Sequence, residues 1–167
     1  MIDLHLDNLK IFVFKTFIRD VEDTLLKIDD IKEEGEIIQF LNADSIVSFN
    51  QIIHGVNQAF LAFDRNENYA KDISVEIVLR CSAQNQISRA FDILGLKEGE
   101  MNICILLINS GDSILNRLSS LFNLEEINLS PDYSRLRDIY NIGDVEIENM
   151  SVEDIVIDKI TKLTVDF

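Results

Sequence analysis

Residues 73–95 read ISVEIVLRCSAQNQISRAFDILG, and this stretch decides how the fold is interpreted because it joins two apolar blocks through a polar hinge. The second block is predicted to be a helix that Asn85 can cap and Gly95 can close. Its apolar residues recur at the spacing of one helical face: Ile87, Ala90, Phe91 and Leu94. The first block, residues 73–82, alternates apolar and polar positions as a strand does, but Val78 breaks the alternation. Helix and strand therefore both stay open for it.

The rest of the chain mixes strand and helix patterns. Three apolar runs predict strands, of which the last is central and covered on both faces: Leu9–Thr16, Glu36–Leu41 and Met101–Ile108. Amphipathic helices are predicted behind four capping residues: Asp20, Ser48, Ser130 and Ser151. An edge strand is predicted around Ile127 and Leu129, and an acidic loop at Gly143–Asn149. We therefore predict a single α+β domain over residues 1–167, with a small mixed or antiparallel sheet packed with about seven helices.

Composition indicates a globular chain. Its 167 residues are 47% hydrophobic and 27% charged, which suits one domain with a sizeable core. The longest apolar run, Ile103–Ile108, is far shorter than a membrane span, and no signal peptide is visible at the N-terminus. Cys81 and Cys104 lie in apolar blocks, which predicts buried, reduced thiols. We expect a cytoplasmic protein without a membrane partner, which would also be nuclear in a eukaryote.

The formal net charge of −15 restricts the partners of the chain. An acidic protein repels polyanions at long range, and a general duplex-coating protein carries the opposite charge. Any contact with nucleic acid must therefore come from a small local cluster of Lys or Arg residues, or be assisted by a basic partner. The acid excess could equally suit a basic protein partner, or serve only solubility.

No catalytic constellation is apparent. The two histidines, His5 and His54, and the two cysteines do not have metal-ligand spacing. No glycine-rich phosphate loop, nucleophile elbow or zinc-protease motif is present. Acid pairs such as Asp29–Asp30 are interpreted as solvated helix faces. We therefore predict a protein that is not an enzyme and needs no cofactor or metal. The alternatives are an α+β regulatory domain that senses a small metabolite in a cleft, and a hydrolase built from scattered acids.

The opening stretch also carries a family pattern. It consists of an S-x-E-I run, a serine, an Asn-containing hinge, I-S-x-A and a Gly-Leu pair: Ser74, Glu76, Ile77, Ser82, Asn85, Ile87, Ser88, Ala90, Gly95 and Leu96. This pattern resembles the PRPK-binding protein family, the small regulatory subunit of the KEOPS (EKC) tRNA-modification complex. The apolar strand Met101–Ile108, the segment RLRDIYNI at Arg135–Ile142 and the last helix at Ser151–Leu163 follow in the family's order. The resemblance implies that the first block is helical, giving a helix–hinge–helix.

The resemblance implies a non-catalytic role in tRNA modification. Family members bind the small lobe of the complex's atypical kinase/ATPase directly, and reach its threonylcarbamoyl-transferase subunit only through that kinase. They also help to recruit tRNA by holding its single-stranded 3′ CCA end, so that threonylcarbamoyl-adenosine forms beside the anticodon.

The last helix is the predicted kinase-binding element. Its apolar residues cover more than one stripe, and a helix that is apolar nearly all round must be covered on a second side. We expect a kinase lobe to supply that cover, although neighbouring helices of the same chain could do so. The predicted contact residues are Val152, Ile155, Val156, Lys159 and Ile160.

The hinge is the predicted contact for the tRNA end. Such a site needs polar groups for base edges and a few cations for phosphate, and the hinge concentrates both in an acidic chain. The alternative is a capping hinge on a solvated surface. The predicted contact residues are Lys71, Arg80, Gln84, Asn85, Gln86 and Arg89.

Overall fold

The structure is a computed structural model that describes residues 8–166, with side chains through residue 165. His5 lies outside the described residues. The strands are β1 Leu9–Ile18, β2 Ile37–Asn42, β3 Gly99–Ile108 and β4 Glu125–Glu126. The helices are α1 Val21–Ile31, α2 Phe49–Asp64, α3 Ile73–Cys81, α4 Ile87–Leu94, α5 Ile114–Leu121, α6 Tyr133–Ile139, α7 Asp144–Ile147 and α8 Val152–Asp166, with a 3₁₀ turn at Ala43–Ser45. They form two compact units, residues 8–43 with 95–129 and residues 44–94 with 130–166.

The first unit is a four-stranded antiparallel sheet in the order β2-β3-β1-β4. Strands β1 and β3 pair so that Leu9 lies opposite Ile108 and Ile18 lies opposite Gly99. Strand β3 is central, and residues 103–108 are fully buried on both of its faces, as the continuous apolar run predicts. Helices α1 and α5 pack on one face of the sheet. The buried core there comprises Ile28, Ile38, Phe40, Ile103, Ile105, Leu107, Ile114 and Leu118.

A charged clamp joins α5 to the turn between α1 and β2. The guanidinium of Arg117 donates to both carboxylate oxygens of Glu36, at 3.1 and 2.9 Å, and to the carbonyl of Ile31. This hydrogen bonding lowers the pKa of the buried Glu36 carboxyl below its ordinary value of 4.5. The turn itself contains Gly35 at φ +82°, a left-handed conformation that glycine adopts without strain.

The second unit is helical, and its core lies between α8, α6 and the start of α2. The buried members of this core are Val47, Leu136, Tyr140, Ile142, Ile155, Val156 and Ile160. A buried amide fixes these segments to one another: Gln51 Nε2 donates to the Tyr140 hydroxyl at 2.7 Å and to the Cys81 carbonyl at 2.8 Å. Because each of these polar groups is paired, the core tolerates them away from water.

Helices α2 and α3 approach each other closely at Gly55. A Cβ atom at this position would lie 2.8 Å from the Cα atom of Cys81 and 2.5 Å from its sulfur. The absence of a side chain at Gly55 is therefore a steric requirement of this helix crossing.

The α+β class and the small antiparallel sheet are confirmed, and the described residues contain eight α-helices. The caps predicted at Asp20 and Ser48 are confirmed, since their side chains accept from Asp23 N and Gln51 N. The helix predicted to start at Ser130 begins at Tyr133 instead, because Asp132 caps it by accepting from Arg135 N.

Two further element predictions are corrected. The edge strand predicted at Ile127 and Leu129 is the shorter β4, two residues earlier, where Glu125 and Glu126 pair with β1. The loop predicted at Gly143–Asn149 contains α7, whose first turn is closed by the carboxylate of Glu146 accepting from Gly143 N at 3.0 Å.

Candidate functional site

Block 73–82, which the sequence pattern leaves open, is helix α3. Its N-cap is Asp72, whose carboxylate accepts from Ser74 N at 2.7 Å. Its backbone bonds are helical, with Glu76 N bonded to Asp72 O at 3.0 Å, and Ile77, Val78 and Leu79 are all fully buried. Consecutive buried residues fit a short helix enclosed by its neighbours. The helix–hinge–helix implied by the family resemblance is therefore confirmed.

The hinge between α3 and α4 turns through a left-handed residue. Ala83 has φ +56°, and the chain closes with Ala83 N bonded to Arg80 O at 3.1 Å and Gln84 N bonded to Leu79 O at 3.0 Å. This pair of bonds is a Schellman motif, in which glycine is the usual left-handed residue because it has no Cβ. The turn leaves Asn85 and Gln86 exposed and Gln84 half-buried. The first helical bond of α4 is accepted by Gln86 O, one residue after the cap predicted at Asn85.

Helix α4 presents two apolar residues to solvent. Ala90 and Leu94 are fully buried, but Ile87 is 52% and Phe91 39% exposed. The apolar face predicted for this helix is therefore only partly buried. An eight-residue helix buries one narrow face here, and the i, i+4 pair on its neighbouring face stays outside. Arg89 on the same helix is exposed.

Arg80 is not a surface cation. Its guanidinium is 1% exposed, with Nε donating to Glu76 Oε2 at 2.8 Å, Nη2 donating to Glu67 O at 3.2 Å, and the Tyr69 ring 4.9 Å away. Arg80, one of the predicted RNA contacts, is therefore buried and bonded within its own unit. An i, i+4 acid partner is the signal that could have indicated an ion pair within the helix.

The buried pair also holds the loop that carries Lys71. Glu76 Oε1 accepts from Ala70 N at 2.7 Å, while Tyr69 Oη donates to Leu163 O at 2.8 Å. Lys71 itself is exposed. The structure thus leaves five of the six predicted RNA contacts, all except Arg80, wholly or partly accessible.

The predicted kinase-binding residues of α8 have two different placements. Ile155, Val156 and Ile160 lie in the core of the second unit, and Val152 packs against it. The apolar pattern around α8 is thus covered largely by helices of the same chain, so it does not require an external lobe. Lys159 is half-buried, with its amine 3.9 Å from Glu146.

The outer side of α8 meets α2. His54 Nε2 lies 2.8 Å from Thr161 Oγ1, and Thr164 Oγ1 donates to Gln58 Oε1 at 3.1 Å. Desolvation lowers the pKa of His54 from its ordinary 6.5, so the imidazole is neutral at pH 7. Residues 45–63 contain no Asp, Glu, Lys or Arg in a chain of net charge −15. Helix α2 carries no charge before its last residue, Asp64. Together with exposed Thr161 and Val165 of α8, it forms a surface that we call the α2/α8 face.

Within residues 8–166 no group of acids, histidines or cysteines could hold a metal ion. Burial raises the pKa of the Cys104 thiol to about 12, so it is no nucleophile.

A groove of about 600 Å³ lies between α1 and the end of α5 in the first unit, lined by Phe17, Leu26 and neighbouring side chains. These apolar residues are largely exposed, unlike the walls of an enclosed metabolite pocket. None of the described helices is long and apolar enough to cross a membrane.

Comparison with known proteins identifies relatives along most of the chain. The family model described as kinase binding protein CGI-121 matches residues 18–162. "Regulatory protein Cgi121" of Methanocaldococcus jannaschii is 35% identical over 78 residues, 47% of this chain and 50% of the relative. "EKC/KEOPS complex subunit CGI121" of Candida glabrata is 30% identical over 130 residues, 75% and 74% of the two chains.

The protein of the same name from Coccidioides immitis is 25% identical over 118 residues, 64% of this chain and 57% of the relative. The aligned part of the chain thus spans half of the archaeal relative and a larger share of the two fungal ones. The family match and these names confirm the resemblance carried by residues 74–96. The chain therefore belongs to the kinase binding protein CGI-121 family.

Proposed function

We propose that the chain is a non-catalytic regulatory subunit of a KEOPS complex, which binds the kinase/ATPase of that complex and holds the 3′ CCA end of tRNA at the hinge. Family membership supports the kinase partner, and the names of the fungal relatives support the complex. The threonylcarbamoyl-transferase would be reached through the kinase. Such a complex would act in the cytoplasm and, in a eukaryote, in the nucleus as well.

The observation that carries the RNA role is the exposed hinge. Asn85, Gln86 and Arg89 are all open to solvent and follow one another within five residues. Amide side chains can pair with base edges, and an exposed guanidinium can pair with phosphate. Residues 77–91 contain no acid, so the repulsion that the acidic chain exerts on RNA is locally reduced. Lys71, which is exposed just before α3, is a further candidate contact.

Kinase docking is assigned to the α2/α8 face. Residues 49–63 of α2 carry no charge, and beside exposed Thr161 and Val165 they offer an area that a protein partner can dehydrate at low cost. Of the five residues predicted for docking, Val152 and Lys159 keep part of their side chains accessible. Ile155, Val156 and Ile160 would act indirectly, by holding α8 in place.

Binding of tRNA with and without its CCA end tests the RNA role. Wild-type protein should bind full-length tRNA more tightly, and Arg89→Glu should weaken that binding on the order of tenfold at low salt, since one phosphate contact is lost. The control is Arg19→Glu, the same charge reversal at an exposed residue of the first unit. Equal affinity of the wild-type protein for trimmed and full-length tRNA would exclude the RNA role.

A pair of valine variants tests kinase docking. Val165 on α8 is 82% exposed and Val145 on α7 is 74% exposed, so aspartate at either position should leave the fold intact. Val165→Asp should weaken capture of the kinase and, through it, of the transferase, while Val145→Asp should not. If Val145→Asp weakened capture and Val165→Asp did not, the docking surface would lie away from α8. Ile155→Glu does not discriminate, because a charge in the core would unfold the subunit.

A further inference from the structure

The groove between α1 and the end of α5 collects the exposed apolar surface of the first unit, and we call it the α1/α5 groove. Among the described residues of that unit, four large apolar side chains are exposed. Three of them line the groove: Phe17 at 66%, Leu26 at 62% and Leu121 at 37%. The fourth, Leu25, is next to Leu26 on α1 but outside the lining. Because the chain leaves these side chains in water, the free energy of their burial is available to a partner.

The shape of the α1/α5 groove suits a segment of polypeptide. Its volume is about 600 Å³, and residues 119–124 line an adjoining hollow of about 420 Å³ at the end of α5. The two hollows share the side chains of Leu121 and Phe122. The ring of Phe122 packs edge-on against buried Phe40, with 5.4 Å between centroids, so the core holds this wall in place. An open hollow of this length fits a chain segment better than a compact metabolite.

The charge of the α1/α5 groove restricts the kind of segment. Its lining contains three acids and two cations: Asp20, Glu22, Asp23, Arg19 and Lys27. The Lys27 amine is 3.1 Å from Asp23, and residues 20–36 hold eight acids and two lysines. The potential over the groove is therefore negative. It repels RNA, anionic lipid and a second copy of this acidic chain, and it attracts Lys and Arg side chains.

We propose that the α1/α5 groove docks a basic amphipathic segment of a protein partner. Large apolar side chains of the segment lie against Phe17, Leu26 and Leu121, and its Lys or Arg residues face Glu22 and the other acids of α1. The groove belongs to the first unit, whereas the hinge and the α2/α8 face belong to the second. Substitutions in the groove therefore test this partner without altering either of those surfaces.

Selection from a display library of random short peptides on the wild-type protein tests what the groove accepts. The enriched peptides should combine several large apolar residues with a positive net charge. One enriched peptide, labelled with a fluorophore, is then titrated with the protein by fluorescence anisotropy. Leu26→Ser should weaken its binding at least about tenfold, because burial of a leucine side chain contributes that much to affinity. Added salt should weaken binding as well, since it screens the ion pairs at the rim.

Matched variants separate docking in the groove from general attraction of a basic peptide to an acidic protein. Leu25→Ser is the control for Leu26→Ser, because Leu25 is 46% exposed on the same helix but outside the groove. It should bind the peptide like the wild type. Glu22→Lys should weaken binding more than Glu34→Lys, which reverses the same charge at an exposed position in the turn after α1. Circular dichroism checks that each variant is folded.

Several results would overturn the proposal. One is equal binding of the peptide by Leu26→Ser and Leu25→Ser, and another is the enrichment of acidic peptides or of none. A dimer in analytical ultracentrifugation that Leu26→Ser dissociates, and Leu25→Ser does not, would make a second copy of the chain the occupant. Loss of kinase capture or of tRNA binding by Leu26→Ser would assign the groove to those contacts instead of a separate partner.

Discussion

Replacing Arg80 by methionine tests whether this guanidinium is a structural group or a ligand for RNA. In the folded protein it bonds Glu76, which is itself fully buried, and also reaches the Glu67 carbonyl and the Tyr69 ring. Methionine keeps the apolar length of the side chain but leaves the Glu76 carboxylate without its cation. Breaking a buried ion pair in this way typically costs about 3–5 kcal/mol. Small domains have a free energy of unfolding of only about 5–15 kcal/mol. Arg80→Met should therefore remove a large fraction of the protein's stability.

Urea unfolding followed by circular dichroism measures the loss, with Glu76→Gln and the double variant Glu76→Gln/Arg80→Met completing a double-mutant cycle. The double variant should be more stable than Arg80→Met alone, because it buries no unpaired charge. If Arg80→Met stays within about 1 kcal/mol of wild type and instead weakens RNA binding as Arg89→Glu does, the guanidinium is a surface ligand and the structural argument fails.

Two more variants test the packing and electrostatics of the units. Gly55→Ala should destabilise the protein by about 1–3 kcal/mol in urea unfolding, because its Cβ would overlap Cys81. Gly111→Ala is the control and should be nearly neutral, because the space around Gly111 is open. Equal effects of the two substitutions would contradict the close helix crossing. The hydrogen bonds from Arg117 lower the pKa of Glu36, so the stabilisation they supply is complete above the ordinary value of 4.5 and is lost as the pH falls through the lowered pKa. Stability measured between pH 6 and 3 should therefore fall less steeply in Glu36→Gln, and an unchanged slope would show that this pair does not contribute.

The elements that the sequence predicted correctly are those whose signals are local. The central strand β3 follows from its uninterrupted apolar run, because a strand covered on both faces can bury every residue of such a run. The start of α1 follows from Asp20, since a cap is made between residues three positions apart. The family pattern in residues 74–96 is equally local, and it resolved the helix at residues 73–81 that periodicity left open.

The candidate site was predictable in composition but not in exposure. Asn85, Gln86 and Arg89 are exposed, whereas Arg80 is buried in an ion pair and Phe91, on the apolar face of α4, is 39% exposed. The pattern of apolar residues on α4 shows which positions are able to be buried. It does not show how wide a face the neighbouring helices cover, so a residue at the border of the apolar face can lie on either side.

The sequence by itself determined the α+β class, the central strand, the helix caps at Asp20 and Ser48, the family and the acid-free hinge, because each depends on residue types at short separations along one chain. Only the tertiary structure decided which of these residues are available to a partner. Ile155, Val156 and Ile160 could have faced either a kinase or the core, and the packing of α8 against residues as distant as Val47 places them in the core. Burial depends on contacts between segments far apart in sequence. These contacts cover the core residues of α8 but do not fully cover Phe91 or the α2/α8 face.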